Sequence, residues 1–233
     1  ERAQQDGDPI NPERVFWELN KRLPDNVIMT SDSGSSTNWY ARQCFIREGM
    51  RGSLSGTLAT MVPGVPYAIS AKFAHPDRPV IGFTGDGAFQ MLGMNELLTV
   101  KRYLPQLMAQ NKTLIFSVLV NNDLNQVSME QRVLSGDPKN PETQTLPYMP
   151  AAHFAESLGF TGIKVTTPEE VGPAWDRALA ADGPVLLEFH TDPDIACLPP
   201  HVKPAMVKKL TKAFIHGDED RVGIAERGFK GNL

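Results

Sequence analysis

Asp86 offers a hard carboxylate oxygen and Asn122 a neutral amide oxygen, and each stands where an apolar run stops. The first run is Val80-Ile81-Gly82-Phe83-Thr84-Gly85-Asp86-Gly87-Ala88. The second is Leu114-Ile115-Phe116-Ser117-Val118-Leu119-Val120-Asn121-Asn122. Gly85 and Gly87 let the backbone turn sharply and approach a ligand closely. Hard oxygens beside an approachable backbone suit a Mg²⁺ ion that also holds phosphate. For either motif alone, a tight turn with Asp86 capping the next helix and Asn121-Asn122 in a polar loop is a sufficient account. On successive strands, the two together favour metal and phosphate.

Both runs are β-type, and between them Phe89, Met91, Leu92, Met94, Leu97, Leu98 and Val100 recur at helical period. Strands separated by a helix read as parallel neighbours buried on both faces. Their polar ends then meet at the carboxyl edge of the sheet, where open α/β sheets bind ligands. The helix follows directly on Gly87, so its positive end faces that edge.

Further elements follow the same logic. Asn11 caps a helix with Pro12 at its first position and Val15, Phe16, Leu19 and Leu23 on its apolar face. Residues 27–30 form a strand that enters the hydroxyl- and glycine-rich turn 31–38. Such a turn is an anion cradle or a plain capping loop. Small residues in 51–64 permit close backbone approach, with Met61 the bulky exception, and 63–74 is a buried helix. Residues 135–150 are polar and proline-rich, a mobile segment or active-site cover. A helix at 151–158, a strand at 163–165, a helix at 168–181 and a strand at 184–189 complete the pattern, followed by a lysine-bearing helix and tail. The lysines are read as a solvated face or a subunit contact. The expected fold is α/β: a doubly wound, mainly parallel six-stranded sheet with helices on both faces.

Bulk properties narrow the function. With 233 residues, 41% hydrophobic and 21% charged, the chain is ordinary for a large α/β domain. A net charge of −4 gives no footprint for nucleic acid or an anionic membrane. Cys44 and Cys197 form neither a disulfide framework nor a zinc pattern, so a cytoplasmic location is the default. No run of about 18 apolar residues is present. The polar segment 1–9 reads as an interdomain linker or a cut end.

Gly85-Asp86-Gly87, then a helix, a strand and Asn121-Asn122, resembles the thiamine diphosphate motif of the pyruvate oxidase and acetolactate synthase family. The gap from 88 to 120 is several residues longer than usual there, with the excess around 104–112. The resemblance covers residues 10–200, and 201–233 is a C-terminal helix and tail. It implies the diphosphate-binding domain of a 2-oxo acid decarboxylating enzyme, most like pyruvate oxidase, with acetolactate synthase as the alternative. It further implies that Asp86, Asn122 and the Leu124 carbonyl ligate Mg²⁺. Gly34, Ser35 and Ser36 would contact the diphosphate together with Gly85, Gly87 and Ala88. Met61 would wedge between the cofactor rings, the Ala59 carbonyl would meet the 4′-amino group, and Gln126 and Val127 would face the reactive carbon. Ala59 and Leu124 stand where the family usually has glycine. The activating glutamate is expected on the pyrimidine-binding domain of a partner subunit in a homodimer or homotetramer, so this chain alone is expected to be inactive. FAD, where the family carries it, would bind a central domain. A Mg²⁺-dependent phosphate hydrolase built on Asp86 lacks a nearby second carboxylate. A nucleotide-binding module lacks the usual glycine-rich signatures.

Overall fold

The computed structural model describes residues 2–197 and 202–231. The first helix, α1 (Pro12–Asn20), starts as its residues dictate: the Asn11 side chain accepts from the Glu13 amide at 2.9 Å. It leads to β1 (Ile28–Ser31), α2 (Ser35–Gln43), β2 (Arg51–Leu54) and α3 (Gly64–Ala74). Then come β3 (Val80–Gly85), α4 (Met94–Arg102), β4 (Leu114–Val120), α5 (Asn125–Glu130) and α6 (Ala151–Ser157). The remaining elements are β5 (Thr161–Val165), α7 (Val171–Leu179), β6 (Pro184–His190), α8 (Pro204–Ile215) and α9 (Arg221–Gly231).

The six strands are all parallel, in the order β2-β1-β3-β4-β6-β5. Successive residues of a strand face opposite sides, so runs apolar at every position need cover on both. Ile81, Phe83, Leu187 and Phe189 pack against Phe16 and Leu19 of α1, Trp39 of α2 and Trp175 of α7. Val80, Leu114, Phe116, Val118 and Leu186 pack against Val65 and Ala68 of α3, Leu97 and Val100 of α4 and Ala155 of α6. The sheet is doubly wound, as the alternation requires. Helix α3 lies against β3 so closely that a Cβ on Gly64 would stand 2.1 Å from the Phe83 carbonyl oxygen.

From β1 the chain goes outward to β2 and returns to pair β3 on the other side of β1. The connections leaving β1 and β3 therefore diverge, and a crevice opens between them at the carboxyl edge. Gly85 is in register with Leu119, so β3 and β4 end side by side and the Asp86 and Asn121-Asn122 loops meet.

Three expectations need amendment. Strand β2 was not anticipated, because all four of its residues are exposed and lack an apolar alternation. The helix after β3 is interrupted by a π-helical turn at Phe89–Gly93 before α4. Residues 135–150, expected as a mobile segment or active-site cover, are bonded to the loop after β4. Leu124 donates its amide to the Gln144 carbonyl at 2.9 Å, and Leu146 to the Asn122 carbonyl at 2.8 Å. Arg132 is fully buried and paired with Asp218 at 2.8 Å, in the turn between α8 and α9. The lysines of α8 reach back within the chain: Lys209 donates to the Leu134 carbonyl, and Lys212 lies 3.7 Å from Asp137. Residues 2–9 lie against the sheet domain, with Ala3 buried and the Asp8 amide donating to Asp192 at 2.8 Å. The boundary expected at 200/201 lies outside the described residues. No helix among the described residues is long and apolar enough to cross a membrane.

Candidate functional site

At the carboxyl edge the crevice forms a cavity of about 330 Å³. Its walls come from the turn after β1, the 59–61 stretch, the start of the helix after β3 and the loop after β4. Gly34, Ser35, Ser36, Ala59, Met61, Gly85, Asp86, Gly87, Ala88, Leu124, Gln126 and Val127 all line it. Asn122 stands just behind this wall, its amide donating to the Asp86 carboxylate at 2.6 Å. Sequence reasoning thus brought together residues up to 93 positions apart (34 to 127). It did not single out Asp32, which also lines the cavity.

Asp86 is buried, and its oxygens accept from the amides of Gly87 (2.9 Å), Asn121 (3.0 Å) and Asn122 (2.6 Å). Burial pushes its carboxyl up to about 6, and the groups that favour the charged form are amides rather than cations. A bound cation would offset the cost of burying this charge. Beside it, Asn122 Oδ1 is buried with no hydrogen-bond partner. An orphaned buried acceptor forfeits its hydration unless a ligand supplies a donor or a cation. Asn122 also holds a left-handed backbone, φ 54, which asparagine tolerates better than most residues. The Leu124 carbonyl accepts from Ser128 at 2.9 Å and keeps a second lone pair. Two carboxylate oxygens, an unpartnered amide oxygen and a carbonyl make an all-oxygen donor set, which suits Mg²⁺.

Other parts of the lining suit an anion. Ser35 opens α2 and Asp86 opens the helical turn after β3, so two helix starts face the cavity. A Cβ on Gly85 would meet nothing within 4 Å, and its φ of −88 is ordinary. Nothing inside the protein demands glycine there, and the space beside it is open to the cavity. Gly87 differs, since a Cβ would lie 2.6 Å from the Leu124 side chain. At the floor, Asp32 Oδ1 accepts from the Ser33 amide (2.7 Å) and the Val62 amide (2.6 Å), while Oδ2 accepts from Thr84 Oγ1 (2.8 Å). Gln126 joins α5 to α2 by accepting from Asn38 at 3.1 Å, and donates to Glu130 at 2.8 Å.

Residues 32–189 match the family model described as thiamine pyrophosphate enzyme, C-terminal TPP binding domain. The chain belongs to the thiamine pyrophosphate enzymes. Within it, the matched span starts at Asp32 and runs to Phe189 of β6, so it holds every cavity wall described above. YdaP of Bacillus subtilis (strain 168), named as a thiamine pyrophosphate-containing protein, is 35% identical over 181 residues. That alignment takes in 77% of this chain and 29% of the relative. Acetolactate synthase isozyme 2 large subunit of Escherichia coli (strain K12) is 30% identical, over 80% of this chain and 32% of its own. The solved thiamine diphosphate-dependent 4-hydroxybenzoylformate decarboxylase of Rhodococcus jostii RHA1 shares the fold with a TM-score of 0.70 at 27% identity, covering 82% of this chain and 34% of that one. The chain therefore spans about a third of these relatives. Its place is the C-terminal cofactor-binding domain of a thiamine pyrophosphate-dependent enzyme.

Proposed function

We propose that residues 10–200 bind the diphosphate end of thiamine diphosphate through Mg²⁺, within an enzyme acting on 2-oxo acids, and that 201–233 is a C-terminal extension of that domain. The orphaned Asn122 oxygen beside the buried, cation-free Asp86 carries this reading. Asp86, Asn122 and the Leu124 carbonyl would hold the metal. Gly34, Ser35, Ser36, Gly85, Gly87 and Ala88 would offer amides and hydroxyls to the diphosphate. Met61 on the cavity wall would support the bent cofactor, and the Ala59 carbonyl, on a backbone with φ 49, would accept from its amino group. Gln126 and Val127 line the cavity and would face the reactive carbon and the substrate.

When bound, the cofactor supplies the electron sink for the charge left as a 2-oxo acid loses its carboxyl group. This chain's share is orientation and exclusion of water. Activation of the aminopyrimidine would come from a glutamate on a partner subunit's pyrimidine-binding domain, in a homodimer or homotetramer. Relatives named as acetolactate synthases support an acetolactate synthase-like carboligase at least as well as the pyruvate oxidase-like reading. FAD would belong to a central domain outside this chain. Calorimetry with thiamine diphosphate, ADP and NAD, each with and without Mg²⁺, tests the proposal. Binding is expected for thiamine diphosphate alone, and only with Mg²⁺; Mg²⁺-independent binding, or preference for either nucleotide, would refute it.

A further inference from the structure

The 59–62 segment, whose Ala59 and Met61 line the cavity, is held against its own conformational preference. Val62 has φ 92 and Ala59 has φ 49. A β-branched residue at positive φ is a true outlier, and it persists only where its surroundings over-determine it. The Val62 side chain is only half-buried, so core packing does not impose this backbone. Ser55 holds the near end of the segment, accepting from the Ala59 and Thr60 amides at 3.1 Å each, and a carboxylate grips the far end: the Val62 amide donates to Asp32 Oδ1 at 2.6 Å. Asp32 is almost wholly buried and takes no part in the metal-binding set. Its other bonds reach the remaining walls. Ser33, at the head of the 33–36 turn, donates at 2.7 Å, and Thr84, next to Gly85, donates at 2.8 Å. Burial raises the Asp32 carboxyl, opposed by the Thr84 hydroxyl and the amides of Ser33, Val62 and Gly85. Charge-assisted bonds of this kind are about twice as strong as neutral ones.

We infer that Asp32 is the positioning residue of the cofactor pocket. Through the Val62 amide it holds the strained turn that presents Met61 and the Ala59 carbonyl, and it ties that turn to the walls formed by Ser33 and Thr84. The inference rests on the proposed function, because the presented groups matter only to a bent cofactor. Asp32 itself touches neither metal nor substrate in this scheme. Its role differs from that of an ordinary buried carboxylate in one respect: it should become dispensable once Val62 no longer resists its backbone. Glycine adopts φ 92 without steric cost.

The test uses the full-length protein carrying this domain, titrated with thiamine diphosphate at saturating Mg²⁺, together with hydrogen exchange of the 59–62 amides. Asp32→Ala should weaken thiamine diphosphate binding at least tenfold and raise exchange at Val62. Asp32→Asn should cost only about threefold, because its oxygen still serves Ser33 and Val62 while its nitrogen turns to Thr84 Oγ1. Val62→Gly alone should leave affinity within about twofold, and in the Asp32→Ala background it should recover most of the loss, a coupling that a double-mutant cycle measures. Should Asp32→Ala not fold, the same cycle is run with Asp32→Asn, where Val62→Gly must again reduce the loss. Wild-type binding with variants unchanged, or an Asp32 defect indifferent to Val62→Gly, would overturn the inference alone. Failure of the wild type to bind thiamine diphosphate would overturn the proposed function and this inference with it.

Discussion

Asp218→Ala should destabilise the protein far more than loss of a surface charge. Arg132 and Asp218 are both fully buried, and the guanidinium donates through Nε at 2.8 Å and Nη2 at 3.0 Å. The same carboxylate accepts from the amides of Lys139 (2.8 Å) and Asp220 (3.1 Å). Truncating one member of such a pair strands the other charge, a loss of about 3–5 kcal/mol. Asp220 still accepts from Arg132 Nη2 at 2.7 Å, so part of the charge stays compensated. The expected cost is then at the lower end, about 3 kcal/mol. With a urea slope of about 2–3 kcal/mol/M, the midpoint should fall by about 1–1.5 M with the slope unchanged. Burial alone would raise the Asp218 carboxyl, but Arg132 and the two amides outweigh it and hold it below the ordinary carboxylate value. Because the folded value is depressed, this stabilisation is complete above the unfolded value of about 3.9 and fades as pH falls through the folded one. The difference between wild type and Asp218→Ala should therefore be constant near neutrality and shrink in acid. A loss below about 1 kcal/mol at neutral pH, as for an exposed pair, would refute the argument.

Three further outcomes follow from the site and the core. Asn122→Gly keeps the left-handed backbone and removes an oxygen that bonds to nothing in the protein, so stability should change by less than about 1 kcal/mol while Mg²⁺-dependent affinity for thiamine diphosphate falls at least about tenfold, read by calorimetry. Gly85→Ala and Gly64→Ala should separate binding from folding. The first meets open space and should lose cofactor affinity at wild-type melting temperature, whereas the second drives a Cβ to 2.1 Å from the Phe83 carbonyl and should melt several degrees lower. Cys44 and Cys197 are buried, with thiols pushed up to about 12 by burial, so neither should react with iodoacetamide at pH 8 until the protein unfolds.

Strands β3, β4 and β6 were legible in the sequence because both their faces are buried, which leaves unbroken apolar runs with polar or glycine ends. The same ends disclosed Asp86 and Asn122. Edge strand β2 was not legible, since Arg51, Gly52, Ser53 and Leu54 bury nothing that would impose a pattern. Residues 135–150 look mobile in sequence because the charges that fix them and the turn before them lie far away. Arg132 needs Asp218, and Lys139 needs Asp123 at 3.3 Å and Asp220 at 3.4 Å. Asp32 was passed over for a related reason. An aspartate followed by serine and glycine reads as any capping turn, and only the tertiary fold brings the Val62 amide and Thr84 to it.

The Arg132–Asp218 pair also has a consequence for the order in which the chain is made. Every residue lining the cavity has left the ribosome once Glu130 is out. Arg132, which secures the end of that wall, must wait for a carboxylate 86 residues later. At 5–20 residues per second, that interval is about 4–17 s. During it, β1, β3 and β4 have all been made, but burying Arg132 as in the finished fold would leave its guanidinium without its carboxylate. The final packing of Arg132, next to the end of that lining, thus depends on residues that lie beyond the matched family span.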